Sequence, residues 1–223
     1  MGSGRMSRCS LKIVVIDDDP TGSQTVHSCL LLLAWDVATL RRGLRHPSPL
    51  MFVLANTRAL PPADAAQRNR EIVAALAEAL VLEGRSEREL VLVSRGDSTL
   101  RGHGVLEPEV LAEEWCRRFG AIDATLHVPA FFEGGRVTRA GVHFLQDQPV
   151  HTTVFARDRL FGYSTSDLAG WLEEKSGGCI PATSVLRLGV DRLEGETMAL
   201  VRWLEHRQGN VPVVVDATRP QHL

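Results

Sequence analysis

The chain has 223 residues, 44% of them hydrophobic, and a formal net charge of -2. That length supports one large domain or a tight pair of subdomains, and the near-neutral charge gives no footing for a nucleic-acid or acidic-membrane partner. The most apolar stretch, residues 29–34, is far too short to span a bilayer, and the N-terminus lacks the apolar segment of a secretory signal, so a cytoplasmic location is expected. Cys9, Cys29, Cys116 and Cys179 show no CxxC pair and no zinc spacing. They read as buried free thiols in a reducing compartment. Residues 1–11 read as a tail, with Met1 to Gly4 a cloning remnant ahead of Met6.

In chain order, residues 12–17 form a short β-branched run that predicts a buried strand, and residues 50–55 predict a second. A helix is expected over residues 62–82, with Ile72, Val73, Leu76 and Leu80 on one face, Pro62 in its first turn and Gly84 at its end. Residues 90–93 predict a strand, 107–119 a helix with Val110, Leu111 and Trp115 inward, and 126–128 a strand. Residues 136–158 break the alternation with Gly, Pro and short β-prone runs at 142–145 and 152–155, and read as a hairpin-like excursion. Strands at 185–190 and 211–215 flank a helix at 194–206. The pattern predicts an α/β fold: a mostly parallel, Rossmann-like sheet with helices on both faces. The last strand has no crossover helix after it, so the chain is expected to be a fragment of a longer protein.

Polar clusters follow four of these strands. The first is Asp17-Asp18-Asp19-Pro20-Thr21-Gly22. Three crowded carboxylates repel one another, which suits a group that takes a proton or grips hydroxyls; a solvated acidic turn is the structural alternative. The second, Ser94 to His103, contains Arg95, Asp97, Ser98, Thr99 and Arg101. Two guanidinium forks suit a carboxylate or phosphate, and an internal Asp–Arg network is the alternative. The third runs from Pro129 to Thr138 and offers Gly135 and Arg136; a glycine turn entering a hairpin explains it equally. Asn56-Thr57-Arg58 closes the strand at 50–55. Ligands bind at the carboxyl ends of strands in open α/β sheets, and four strands are expected to deliver these groups to one rim. His27, His103, His143 and His151 are scattered with no metal-binding spacing, and an arginine beside His103 disfavours its cationic form. Asp158 reads as a solvated or salt-bridged charge. No phosphate-binding P-loop and no dinucleotide fingerprint is present.

With these clusters in view, the chain resembles the four-carbon acid sugar kinase family. The resemblance rests on Asp18-Asp19-Pro20-Thr21-Gly22 after a strand, on Ser94 through Gly102, and on Gly135-Arg136-x-Thr138-x-x-Gly141. Asp17 with Gln24-Thr25-Val26-His27 looks like the DDDPTGxQTVH form of the first motif. It covers about residues 12–216 and implies the N-terminal, sugar-acid-binding domain, here 12–223, of a two-domain kinase. ATP and Mg2+ would be held mainly by a C-terminal nucleotide-binding domain that this chain lacks, and no tight metal site is expected. A polyhydroxy carboxylate needs arginine for its carboxylate, for which Arg95, Arg101 and Arg136 are candidates. Its hydroxyls need acceptors, for which Asp18, Asp19 and Asp97 are candidates. Phosphoryl transfer to a terminal hydroxyl needs a carboxylate base, expected to be Asp19 or Asp18. The expected substrate-binding set is Asp17, Thr21, Gly22, Arg58, Ser94, Arg95, Asp97, Ser98, Arg101, Gly135 and Arg136.

Two other readings compete. Asp17-x-Asp19-x-Thr21 reproduces the DxDxT motif of HAD-type magnesium-dependent phosphatases, with Asp17 as nucleophile and Asp19 as acid/base. Against it, Asp216 stands alone after its strand and Lys175 is poorly placed. A non-catalytic sugar-acid-binding module is the other.

Overall fold

A computed structural model describes residues 11–22 and 26–223. The suggested N-terminal remnant, Cys9, and Gln24 and Thr25 of the first motif lie outside them. The chain divides into two compact units, residues 1–95 and 96–223.

The first unit is a parallel sheet of β1 (Lys12–Asp17), β2 (Leu30–Leu32), β3 (Leu50–Leu54) and β4 (Leu90–Arg95), in the order β2-β3-β1-β4. The central β1 pairs Asp17 with Leu54 on one side and with Arg95 on the other. Its Val14, Val15 and Ile16 are all buried, as an interior parallel strand requires. Helix α2 (Pro62–Leu82) buries Ile72, Val73, Leu76 and Leu80, the face its periodicity predicts. It ends in a Schellman motif: Gly84 at φ 62 donates to the Val81 carbonyl and Arg85 to the Leu80 carbonyl.

Two elements of this unit escape the sequence pattern. Strand β2 has only three residues. Helix α1 (Val37–Arg45) is short and carries Gly43 inside it. The glycine is a packing requirement, since a Cβ there would sit 2.8 Å from the Met51 sulfur and 3.0 Å from Leu32 Cδ1. The helix signal that was available is Asp36, whose carboxylate caps the Thr39 amide at 3.0 Å.

The second unit holds a separate parallel sheet, and this corrects the expectation of one sheet. Strands β5 (Ala124–His127), β9 (Leu186–Leu188) and β10 (Val211–Val215) stand in the order β5-β10-β9. Pro212 is tolerated in the middle strand because β9 pairs only from Val213 onward. Helix α3 (Leu106–Phe119) buries Val110 and Leu111, while Trp115 is half-buried and stacks on Phe119 at 4.5 Å. Helices α4 (Leu168–Lys175), α5 (Val190–Leu193) and α6 (Thr197–Glu205) complete the unit. Of these, α4 was not predicted, and α5 begins where the strand at 185–190 was expected to continue. The core gathers Leu100, Val105, Val150, Tyr163, Leu168, Trp171, Leu172 and Val214.

The excursion is an antiparallel sheet of β6 (Arg136–Arg139), β7 (Val142–Leu145) and β8 (Gln148–Pro149). Residues 152–155 are not strand but lie in two 3-10 turns, Val150–Thr152 and Val154–Arg157. The two-residue loop joining β6 to β7 is Ala140–Gly141, with φ 50 and 75, the signs of a type I′ turn. Alanine is strained there. Asp216, one residue past β10, compensates: its carboxylate accepts the amides of Ala140 at 2.9 Å and Gly141 at 2.8 Å. The thiols differ from expectation, since Cys116 and Cys179 are exposed and Cys29 half-buried. Cys116 lies on the solvent side of α3, and Cys179 follows the glycine turn after α4. Among the described residues, no helix is long and apolar enough to cross a membrane.

Asp216→Ala should lower the unit's unfolding free energy by about 1–3 kcal/mol, because the buried Gly141 amide and the part-buried Ala140 amide lose their acceptor. Ala140→Gly in that background should recover about 1 kcal/mol by relieving the positive φ. Urea denaturation of the two variants checks both figures.

Candidate functional site

The residues expected to bind substrate fall into two groups, one in each unit. In the first unit they sit at the carboxyl ends of β1, β3 and β4. Asp17 is fully buried, and its Oδ1 lies 3.3 Å from Arg95 Nη1. Its other oxygen has no hydrogen-bond partner. Burial raises the Asp17 pKa, Arg95 opposes the rise and neighbouring Asp18 adds to it. Gly22 packs directly over this pair, where a Cβ would collide with Arg95 Nη1 and both carboxylate oxygens. That contact, not turn geometry alone, requires glycine.

Asp18 is 2% exposed and receives both arms of Arg58, Nε at 2.9 Å and Nη2 at 2.7 Å. The guanidinium–carboxylate fork locks the loop after β3 to the loop after β1. Asp19 is more open, with 25% of its side chain exposed. Its Oδ1 accepts the Thr21 amide at 2.8 Å and the Thr21 hydroxyl, and its Oδ2 lies 3.5 Å from Arg58 Nη1. Ser94 stands opposite Ile16 on β4, half-buried.

In the second unit, Asp97 organises the turn that follows β4. Its carboxylate accepts the Thr99 amide at 2.8 Å, the Thr99 hydroxyl at 2.7 Å, and Arg101 through Nε at 2.8 Å and Nη2 at 2.7 Å. Burial pushes the Asp97 pKa up, but the Thr99 and Arg101 hydrogen bonds outweigh it and hold the group below the ordinary carboxylate value. Arg101 Nη1 also lies 3.9 Å from Asp158, so Asp158 is salt-bridged, one of the two roles its sequence suggested.

Ser98 is gripped from two sides. Arg136 Nη1 donates to its hydroxyl at 3.1 Å, and His143 Nε2 donates to its carbonyl at 2.8 Å. The carbonyl requires the proton on Nε2, which leaves Nδ1 as an acceptor 2.9 Å from Thr138 Oγ1, whose proton it shares with the Pro129 carbonyl at 3.1 Å. Burial pushes the His143 pKa down to about 4, so the ring is neutral. His143 is therefore a structural clamp, a role that its isolated position in sequence does not reveal. Gly135 adopts φ 68 immediately before Arg136 and contributes backbone shape. His103 lies edge-on to Phe161 at 5.2 Å, and His151 bonds Ser166 Oγ through Nδ1 at 2.7 Å.

The arginines divide sharply. Arg58, Arg95 and Arg101 each pair with an aspartate; of these, the Asp97–Arg101 pair is the internal network weighed for the second cluster. Arg136 has no carboxylate partner among the described residues, and its buried Nε has no hydrogen-bond partner. Its guanidinium carbon lies 5.3 Å from the Phe131 ring and 5.8 Å from the Phe155 ring. The expectation of a single rim fed by four strands needs correction. β5, which leads to the Arg136 segment, pairs with β10 in the second unit and not with the sheet of β1, β3 and β4. Sequence reasoning missed Phe155 because Thr152 to Phe155 mimics a strand.

A family model described as a sugar-binding N-terminal domain matches residues 13–223. This chain belongs to that family. The motif resemblance therefore holds at the level of the sugar-binding N-terminal domain. Among solved structures, the chain is similar to a domain of unknown function (DUF1537) from Bordetella bronchiseptica, crystallised with bound citrate as a domain-swapped dimer. Identity is 28% and the TM-score 0.63, over 93% of this chain and 48% of that one. A Haemophilus influenzae protein of the same DUF1537 family shares the fold at 16% identity and a TM-score of 0.65, over 94% of this chain and 49% of that one. The chain thus spans about half the length of these two DUF1537 chains. A search of curated proteins gives no match.

The His143 clamp makes a pH prediction. Its folded pKa lies below the ordinary imidazole value, so the unfolded chain binds the extra proton first. Stability is fully present above about pH 6.5 and is lost as pH falls toward about 4. His143→Gln should flatten that fall by on the order of 3 kcal/mol at most. His127, whose pKa burial also lowers to about 4, keeps its own share of the slope. Urea midpoints of the two proteins at pH 7 and pH 4.5 test the difference.

Proposed function

We propose that this chain is the sugar-acid-binding part of an ATP-dependent kinase that phosphorylates a four-carbon sugar acid, of the threonate, erythronate or 3-oxo-tetronate type, on its terminal hydroxyl. The observation that carries the reading is Arg136: a guanidinium with no carboxylate partner among the described residues and a buried Nε awaiting an acceptor. An arginine fork fits a carboxylate ligand. The citrate bound to the Bordetella relative, a tricarboxylate with one hydroxyl, supports an acid ligand for this family.

In this reading Arg136 receives the substrate carboxylate, with Ser98 beside it and Arg101 held in reserve by Asp97. Phosphoryl transfer also requires a carboxylate base, a role we assign to the acidic loop of the first unit on its own chemistry. Asp19 suits that role better than Asp18, because it is the more exposed of the two and Asp18 is occupied by both arms of Arg58. Asp17, Thr21, Gly22, Arg58, Ser94 and Arg95 then build and hold the loop. ATP and magnesium supply the phosphoryl group and neutralise its charge, and the C-terminal nucleotide-binding domain of longer family members would hold them. The phosphatase reading needs Asp17 as an accessible nucleophile. Its complete burial beneath Gly22 weighs against that role.

Calorimetric titration with threonate and erythronate tests the proposal. Saturable binding is expected, indifferent to ATP. Arg136→Ala should weaken it by about 10- to 100-fold, the value of a lost charge-assisted pair. Asp19→Asn should leave binding within about threefold while abolishing turnover once a nucleotide-binding domain is supplied. No binding of any acid, with magnesium-dependent release of phosphate from sugar phosphates, would sink the reading. Binding without turnover in the completed system marks a non-catalytic module.

A further inference from the structure

Arg101 and Arg136 carry like charges in one small region of the second unit, and their two environments differ. Arg101 is neutralised by Asp97. Arg136 is held by one neutral hydrogen bond, to Ser98, and by aromatic rings. One of those rings is shared. The Phe155 centroid lies 4.9 Å from the Arg101 guanidinium carbon and 5.8 Å from that of Arg136. The negative face of an aromatic ring attracts both cations and needs no proton or counter-charge to do so.

The backbone beneath Phe155 is anchored to the core. Thr153 caps the 3-10 turn Val154–Arg157, and Ala156 is 8% exposed within the core cluster. The Ala156 carbonyl accepts the Tyr163 amide at 3.1 Å, and the Tyr163 hydroxyl donates to the Thr99 carbonyl at 2.7 Å. The strap therefore ties to the same turn that Asp97 organises. Val154 and Leu160, its apolar neighbours in sequence, are exposed.

We infer that Phe155 is a positioning residue for the anion receptor. It holds the Arg136 guanidinium in place beside Arg101 without neutralising it, so that one arginine stays available for a carboxylate. A carboxylate side chain at this position would fix Arg136 equally well and silence it. The ligand part of this inference rests on the sugar-acid reading; the geometric part does not.

Phe155→Leu and Phe155→Tyr are compared with wild type in two measurements. The first is the Arg Nε–Hε region of a 1H–15N NMR spectrum without ligand. Two arginine signals should carry ring-current shifts; Leu should abolish that of Arg101 and change that of Arg136, which keeps Phe131 at 5.3 Å, and Tyr should retain both. The second is calorimetric binding of threonate and of its neutral lactone. Leu should weaken the acid by about threefold to thirtyfold and leave the lactone unchanged, and Tyr should restore the acid. A general folding defect would affect both ligands and would not be rescued by Tyr. Unshifted arginine signals in wild type, or equal acid affinity in Phe155→Leu, overturns the inference. Shifted signals that respond to Phe155, with no acid bound by wild type, support the positioning role and overturn the sugar-acid reading instead.

Discussion

The turn after β4 depends on the Asp97 carboxylate. Leu100 sits there at φ 65, a conformation that costs an L-residue with a side chain, and its side chain is buried in the core. The four hydrogen bonds that Asp97 accepts from Thr99 and Arg101 offset that strain. Once the turn is set, Ser98 faces Arg136 and His143, and Thr99 presents its carbonyl to Tyr163. The hairpin, the aromatic strap and the unneutralised Arg136 all attach to this turn.

The first unit solves a related problem by other means. Its strand end crowds three carboxylates, which is unfavourable without compensation. Arg95 and Arg58 neutralise Asp17 and Asp18 in turn, and Thr21 folds the chain back onto Asp19. Asp17 keeps one buried oxygen without a partner. Local rules are broken here, in a strand-end loop, and satisfied along the strands themselves, which is the distribution expected of a functional surface.

The regular elements were legible because each has a dominant local signal. β1 and β10 are β-branched runs and β3 a continuous apolar one, and α2 carries its start, stop and inward face in sequence. β2 and α1 were not legible because one is three residues long and the other trades helix propensity for the close approach that Gly43 permits. The division into two sheets was hidden for a different reason. Strand periodicity says that β5 is a strand but not which strand it pairs with. The arginines illustrate the same limit at the site. Composition shows four candidate anion contacts, and only pairing distances separate Arg136 from the three held by aspartates. Phe155 gave no usable signal, since its role lies in what its ring touches.

The Asp216 carboxylate couples two segments that are 76 positions apart in sequence, the β6–β7 loop and the end of β10. A ribosome must therefore deliver nearly the whole second unit before the loop amides find their acceptor. Until then the hairpin that begins with Arg136 carries a strained alanine turn with nothing to hold it. The Arg136 hairpin, the proposed carboxylate contact, is thus a late product of synthesis, since a nascent chain lacking β10 lacks the acceptor that holds its turn.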